Sequence, residues 1–196
     1  MSDISMLKKW DNIYKDKQAI VRVPSRVLFE NRHLLPTSGV ALEVACGLGA
    51  NALCLAESGL QTHAWDISNE AIKRLQDVSK KEKIPVIAEV RDAIKDPPAA
   101  ESFDIIVVSH FLERKLFPFL LDALKPQGML FYQTFTQERV DDSGPRNNSY
   151  RLTNNELLAL CSELNVLVYR EEGSVGKTTQ GWRNLALMVG QKRNAQ

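Results

Sequence analysis

Short apolar runs alternate along this chain with longer amphipathic stretches. Val40-Ala41-Leu42-Glu43-Val44 is apolar apart from one carboxylate. Ala45-Cys46-Gly47-Leu48-Gly49 breaks it, and a helical pattern starts near Asn51. That order predicts a strand, a tight glycine-bearing turn and a helix. Further strands are predicted at 60–65 (closed by Asp66), 84–90, 103–109, 129–135, 166–169 and 184–189. The run at 103–109 is apolar except for Asp104, as suits a central strand covered on both faces.

Helices are predicted between most of these strands. The first, at about 5–17, is polar and partly amphipathic. A second carries Val27, Leu28 and Leu34 as its apolar positions. After the glycine turn a helix runs to about Ser58, with Gly59 as its left-handed cap. Ser68 is an N-cap, with Glu70 in the first turn and Ala71, Ile72, Leu75 and Val78 as the buried stripe. Another helix follows His110 and runs to about Leu124, where Lys125-Pro126-Gln127-Gly128 reads as a turn with positive φ at the glycine. Thr153 to Glu156 reads as a capping box opening a helix with Leu157, Leu158, Leu160, Cys161 and Leu164. The polar stretch 136–150 is long enough to be a functional lid.

Alternating strands and helices imply a parallel sheet. The last two strands lack room for a crossover, so they pair antiparallel. The expected fold is therefore α/β: a Rossmann-like, seven-stranded, mostly parallel sheet with helices on both faces and an antiparallel C-terminal strand. One domain is expected over 1–196, with cap helices at 1–36 and the sheet core at 37–192.

Composition narrows the function classes. The 196 residues are 44% hydrophobic and 25% charged, ordinary for a globular domain. A net charge of +1 gives no electrostatic case for nucleic acid or an anionic membrane. The N-terminus has no apolar signal core, and no run reaches membrane-spanning length. Cys46, Cys54 and Cys161 are odd in number and lack metal-ligand spacing, so free thiols, no metal and a reducing cytoplasmic compartment are expected. The expected partner is a small-molecule substrate, and the expected state is monomer or homodimer.

Glu43, Asp66 and Asp92 fall at the ends of three successive strands, which puts them at one edge of the sheet. An acid at the end of the second strand is placed to accept two hydrogen bonds from ribose hydroxyls. Gly47 and Gly49 lack Cβ atoms and let a ligand approach the loop. Gly47-Leu48-Gly49-Ala50-Asn51-Ala52 also approximates a dinucleotide fingerprint, so an NAD-dependent oxidoreductase is an alternative on these residues alone.

The same stretch resembles the first motif of class I S-adenosylmethionine (SAM)-dependent methyltransferases. The wording Ala45-Cys46-Gly47 through Asn51-Ala52-Leu53 to Leu55-Ala56 looks most like the tellurite-resistance, TehB-type enzymes. Ala45 stands where many class I enzymes have glycine, and Ala50 where the TehB-type pattern has arginine. Trp10-Asp11 with Tyr14, Pro24-Ser25, residues 131–135, Gly144-Pro145-Arg146-Asn147 and Leu152 with Asn155-Glu156-Leu157 are similar to the same family. The resemblance spans Trp10 to about Lys192.

It implies SAM as cofactor and methyl transfer to a small nucleophile: a tellurite or selenite oxyanion, a thiol or a small metabolite. It implies cofactor binding by Glu43 near the methionine end, by the loop residues Ala45, Gly47, Gly49 and Asn51, and by Asp66 at the ribose. Ile67 is implied at the adenine face, Asp92 and Ala93 at the adenine amino group, and Ser109 near the methyl group. Trp10 and Arg22 are implied as N-terminal contacts, with Arg22 meeting the cofactor carboxylate. Its placement after the fourth strand makes His110 the candidate catalytic residue, for proton removal or substrate binding. Tyr14, Arg114, Arg146 and Arg183 are the implied substrate residues, and Arg151 belongs to the same loop region. A third reading is a non-catalytic SAM-binding protein that regulates a partner.

Overall fold

The computed structural model describes residues 3–16 and 23–194. Strands β1 (Val40–Val44), β2 (Gln61–Asp66), β3 (Val86–Val90), β4 (Phe103–Ser109), β5 (Leu124–Phe135), β6 (Leu164–Glu171) and β7 (Leu185–Lys192) form one sheet. Its order is β3-β2-β1-β4-β5-β7-β6. The first five strands are parallel, and β7 enters antiparallel between β5 and β6. The expected α/β fold with a closing antiparallel hairpin is thus the fold observed. The helices are α1 (Asp3–Asp16), α2 (Arg26–Asn31), α3 (Ala50–Glu57), α4 (Asn69–Glu82), α5 (Phe117–Ala123) and α6 (Glu156–Leu160).

Alternation along β4 separates two apolar layers. Ile106 and Val108 pack with Leu42, Val44, Leu120 and Tyr132, the layer that α5 and α6 cover. Ile105 and Val107 pack with Ala41, Phe131, Val27 of α2 and Leu55 of α3. Both faces of β4 are buried, which is why its sequence is nearly all apolar. Asp104, the exception, accepts the Val40 N–H at 2.7 Å and pairs with Lys125 Nζ at 2.7 Å.

After β3 the chain returns to the middle of the sheet, so the order reverses between β1 and β4. In such sheets the crevice outside the carboxyl ends of the reversing strands is the place for a ligand. The loops after β1, β2, β3 and β4 all open at that edge.

Three elements differ from expectation. The segment Lys125-Pro126-Gln127-Gly128 is not a turn outside the sheet but a bulge within β5, opposite Asp104. Positive φ falls on Gln127, at 65°, and not on Gly128. Gly128 is required for another reason: a Cβ there would lie 2.9 Å from the Lys125 carbonyl and 3.0 Å from that of Phe103. The helix expected after His110 starts as a 3-10 turn at Arg114–Leu116 and becomes α5 with Pro118 in its first turn. Helix α6 ends at Leu160, because Leu164 already pairs with Lys192 in the sheet.

Candidate functional site

The loop from β1 to α3 turns through a run of left-handed residues: Ala45 at φ 53°, Gly47 at 53° and Gly49 at 75°. Gly49 is the N-cap of α3, and a Cβ there would strike the Leu75 side chain at 2.4 Å. Ala45 takes a conformation that glycine adopts without strain. The Cys46 N–H donates to the Trp65 carbonyl at 3.0 Å, which ties the loop to β2.

Asp66 closes β2 and reaches back into this loop. Its Oδ2 accepts the Gly47 N–H at 2.8 Å, and its Oδ1 accepts the Ser68 N–H at 2.9 Å. The carboxylate is 6% exposed. Burial pushes its pKa up, and the backbone N–H donors oppose that rise. Each oxygen keeps acceptor capacity beyond the bond it makes.

Glu43 lies on β1, 2% exposed. Its Oε2 accepts the Ala52 N–H at 2.8 Å, at the start of α3. Its Oε1 accepts from Asn51 Nδ2 at 2.7 Å. Burial raises the Glu43 pKa to about 8, against the two donors, with Asp66 adding to the rise. Asn51 is a junction: Nδ2 also donates to Ser109 Oγ at 3.1 Å, and Oδ1 accepts from Ser25 N at 2.7 Å and Ser25 Oγ at 3.0 Å. Glu43, Asn51, Ser109 and Ser25 therefore form one network joining β1, α3, β4 and the entry to α2.

Asp92, just after β3, organises its own turn. Its Oδ1 accepts the Ile94 N–H at 3.0 Å, and Oδ2 lies 3.7 Å from Lys95 Nζ. Ala93 is buried and Ile67 is half-buried between Asp66 and Ser68.

Helix α1 covers this edge. Asp11 Oδ1 accepts from Ser68 Oγ at 2.5 Å and from the Glu70 N–H at 3.2 Å. The Tyr14 carbonyl accepts from Arg74. These bonds dock α1 on the N-terminus of α4, where a carboxylate suits the dipole. Ser68 Oγ accepts the Ala71 N–H, so the expected N-cap is in place. Trp10 and Tyr14, one turn apart, stack with centroids 6.0 Å apart. A Cβ on Gly47 would lie 2.7 Å from the Tyr14 hydroxyl, so the phenol sits directly over the glycine loop. Burial, with Asp66 next, pushes the Tyr14 phenol well above its ordinary range. Arg22 lies outside the described residues.

His110 leaves β4 with φ 57°. Its N–H donates to the Gln133 carbonyl at 2.8 Å, and its ring Nε2 lies 3.1 Å from Gln133 Nε2. The ring packs on Phe135 at 5.2 Å between centroids. The residue as a whole is exposed, but the packing of its ring removes enough water to lower its pKa.

The loop arginines divide. Arg114 pairs with Glu156 at 2.5 Å and donates to the Ser149 and Arg151 carbonyls. Arg183 donates to the Gln180, Gly173 and Lys177 carbonyls, bracing the loop before β7. Both guanidiniums are engaged in holding loops. Arg146 is exposed on the segment 136–150.

That segment is anchored from both sides. Arg151 is fully buried, and its guanidinium donates to the carbonyls of Pro145, Thr136 and Ser143. Asn184 accepts the Val140 N–H at 2.7 Å and donates to Asp141 and Ser143. The expected capping box does not form: the N-cap of α6 is Asn155, in a left-handed conformation, and Thr153 instead donates from its N–H and its Oγ1 to Glu156 Oε2 at 2.7 and 3.0 Å. Ser25, Gln133 and Arg151 are the site-supporting residues whose roles the sequence did not signal.

Among the described residues no group of His, Cys, Asp and Glu has metal-holding geometry, and no helix is long and apolar enough to cross a membrane. All three cysteines are free.

The TehB family profile, described as tellurite resistance protein TehB, matches residues 6–187. No curated protein matches the sequence. Among solved structures, TehB from Haemophilus influenzae superposes with a TM-score of 0.72 at 20% identity, covering 94% of this chain and 67% of that one. A SAM-dependent methyltransferase from Methanosarcina mazei gives 0.66 at 19% identity over 83% of this chain and 96% of its own. One from Aquifex aeolicus gives 0.67 at 16% identity over 97% and 99%.

Proposed function

The chain belongs to the TehB family, and from that premise we propose that it transfers a methyl group from SAM to a soft, anionic small-molecule nucleophile. The observation that carries this reading is the pair of buried carboxylates on adjacent strands, with Asp66 pinned to Gly47 and Glu43 pinned to Asn51 and Ala52. Ribose hydroxyls, amino groups and a sulfonium cation are the partners such acceptors suit.

Bound SAM would supply an electrophilic methyl group for an acceptor's lone pair, with S-adenosylhomocysteine as the leaving group. The protein binds, aligns and dries the site. In our reading Asp66 accepts the ribose hydroxyls, oriented by the N–H groups of Gly47 and Ser68. Asp92 and the Ala93 backbone take the adenine amino group, and Ile67 covers the ring face. Glu43 and Asn51 set the charge near the methionine end, and Gly47 and Gly49 leave the loop backbone open to it. Trp10 and Tyr14 close the edge against water. Ser109 and His110 stand where the acceptor enters, and Arg146 is the loop arginine available to an anion. Alignment of this kind supplies roughly 7–11 kcal/mol of the barrier reduction.

The description of the family points to tellurite, and a tellurium or selenium oxyanion or a thiolate brings its own lone pair and needs no strong base. A reducing, cytoplasmic setting accords with three free cysteines, and the unit is a monomer or homodimer. The test is product analysis by mass spectrometry with tellurite, selenite, thiols, amines and alcohols as acceptors. Methylated tellurium, selenium or sulfur products support the reading. Turnover with amines or alcohols alone would contradict it.

A further inference from the structure

We propose that Gln133 holds the proton of His110 on Nδ1, so that His110 meets the methyl acceptor as a hydrogen-bond donor and not as a general base. The Val27 N–H, in the first turn of α2, donates to Gln133 Oε1 at 2.9 Å. A backbone N–H has no other role, so the contact settles which end of the Gln133 amide is oxygen. The other end is an NH₂ group and lies 3.1 Å from His110 Nε2. Two N–H groups cannot share that contact. Nε2 therefore carries the lone pair, and in a neutral imidazole the single proton is on Nδ1.

Gln133 grips His110 twice, since its carbonyl also accepts the His110 N–H at 2.8 Å. Gln133 itself is 2% exposed, so the amide cannot turn away toward water. An imidazolium would set an Nε2–H against the amide NH₂, and the depressed pKa of the ring agrees with its being neutral. No described residue accepts from Nδ1. The Nε2 lone pair, which a general base would use, is occupied. What remains is a donor, and a donor recognises an atom that already holds a lone pair or a negative charge. This restricts the acceptor to a thiolate, an oxyanion or a similar anion. Gln133 is a positioning residue: it acts through His110.

The assignment of an acceptor to this donor rests on the methyl-transfer reading, whereas the position of the proton does not. The test is long-range ¹H–¹⁵N correlation on histidine-labelled protein without donor or acceptor. The expected spectrum has His110 protonated at Nδ1, and a ring protonated at Nε2 overturns the proposal. In Gln133→Glu the partner becomes an acceptor, and the proton is expected to move to Nε2. If it stays on Nδ1 in the folded variant, Gln133 is not what holds it; if the variant does not fold, the wild-type spectrum decides. Activity gives a separate readout. His110→Asn keeps an N–H donor and a residue at ease with positive φ, so it is expected to retain more methyl transfer than His110→Ala, which loses roughly 10- to 100-fold. Equal loss in both would refute the donor role.

Discussion

The carboxylate of Asp66 holds the backbone N–H of Gly47 at 2.8 Å, across the gap between β2 and the loop after β1. One side chain thus fixes the shape of the glycine loop and offers its remaining lone pairs to a ligand. The same side chain accepts from Ser68, so it also sets the start of α4.

Asp66→Ala should therefore cost stability apart from any ligand. Two buried N–H donors lose their partner, at roughly 1–3 kcal/mol for an unsatisfied group. Urea unfolding of the ligand-free protein should show a loss of about 2 kcal/mol or more. No change would mean that the loop is shaped by other contacts.

Glu43 gives a pH dependence with a definite sign. Its pKa rises from 4.5 to about 8 on folding. Below about pH 4.5 both states are protonated, and the contribution to stability is whole. Between that value and about 8 the unfolded chain releases the proton while the folded one keeps it, so stability falls as pH rises. Glu43→Gln should flatten this slope, measured by urea unfolding across pH 5 to 8 (a window set by those two pKa values). A cationic ligand beside Glu43 should also expel the proton. Titration calorimetry of SAM near pH 7 in buffers of different ionisation heat should report proton release. An unaltered slope in Glu43→Gln would remove the group from this role.

Arg151 replaces a mobile lid with an anchored wall. Arg151→Met should strand the buried Thr136 carbonyl, release those of Pro145 and Ser143 to water, and cost about 3 kcal/mol. Hydrogen exchange across 136–150 should quicken by far more than exchange in β4. Equal protection in the variant would contradict the anchoring role.

Ala45 sits at φ 53°. Ala45→Gly should relieve a strain of roughly 1 kcal/mol, less the entropy glycine adds to the unfolded chain. Thermal unfolding should show an equal or higher midpoint. A clear drop would mean that the methyl packing outweighs the strain.

The features that were legible in the sequence are local ones. The first βα unit announces itself because an apolar run meets Gly47 and Gly49 within a few residues, and Ser68 caps α4 as its type and place require. Glu43 and Asp66 were legible because strand ends put them at a common edge. The Gln127 bulge was not, because proline and glycine mark a turn and a bulge alike, and only the register with Asp104 separates them. Arg114 and Arg183 look in sequence like free loop cations; their use depends on Glu156, 42 residues away, and on the carbonyls of the loop before β7. Gln133 reaches Val27 across 106 residues, a pairing no local pattern encodes.

What binds at this edge of the sheet decides the function. Titration calorimetry of the wild-type protein with SAM and with NADH tests it most directly. We expect SAM to bind, NADH to give no heat, and Asp66→Ala to weaken SAM by roughly 10- to 100-fold, as the loss of buried hydroxyl partners implies. Tight NADH binding with no response to SAM would contradict it.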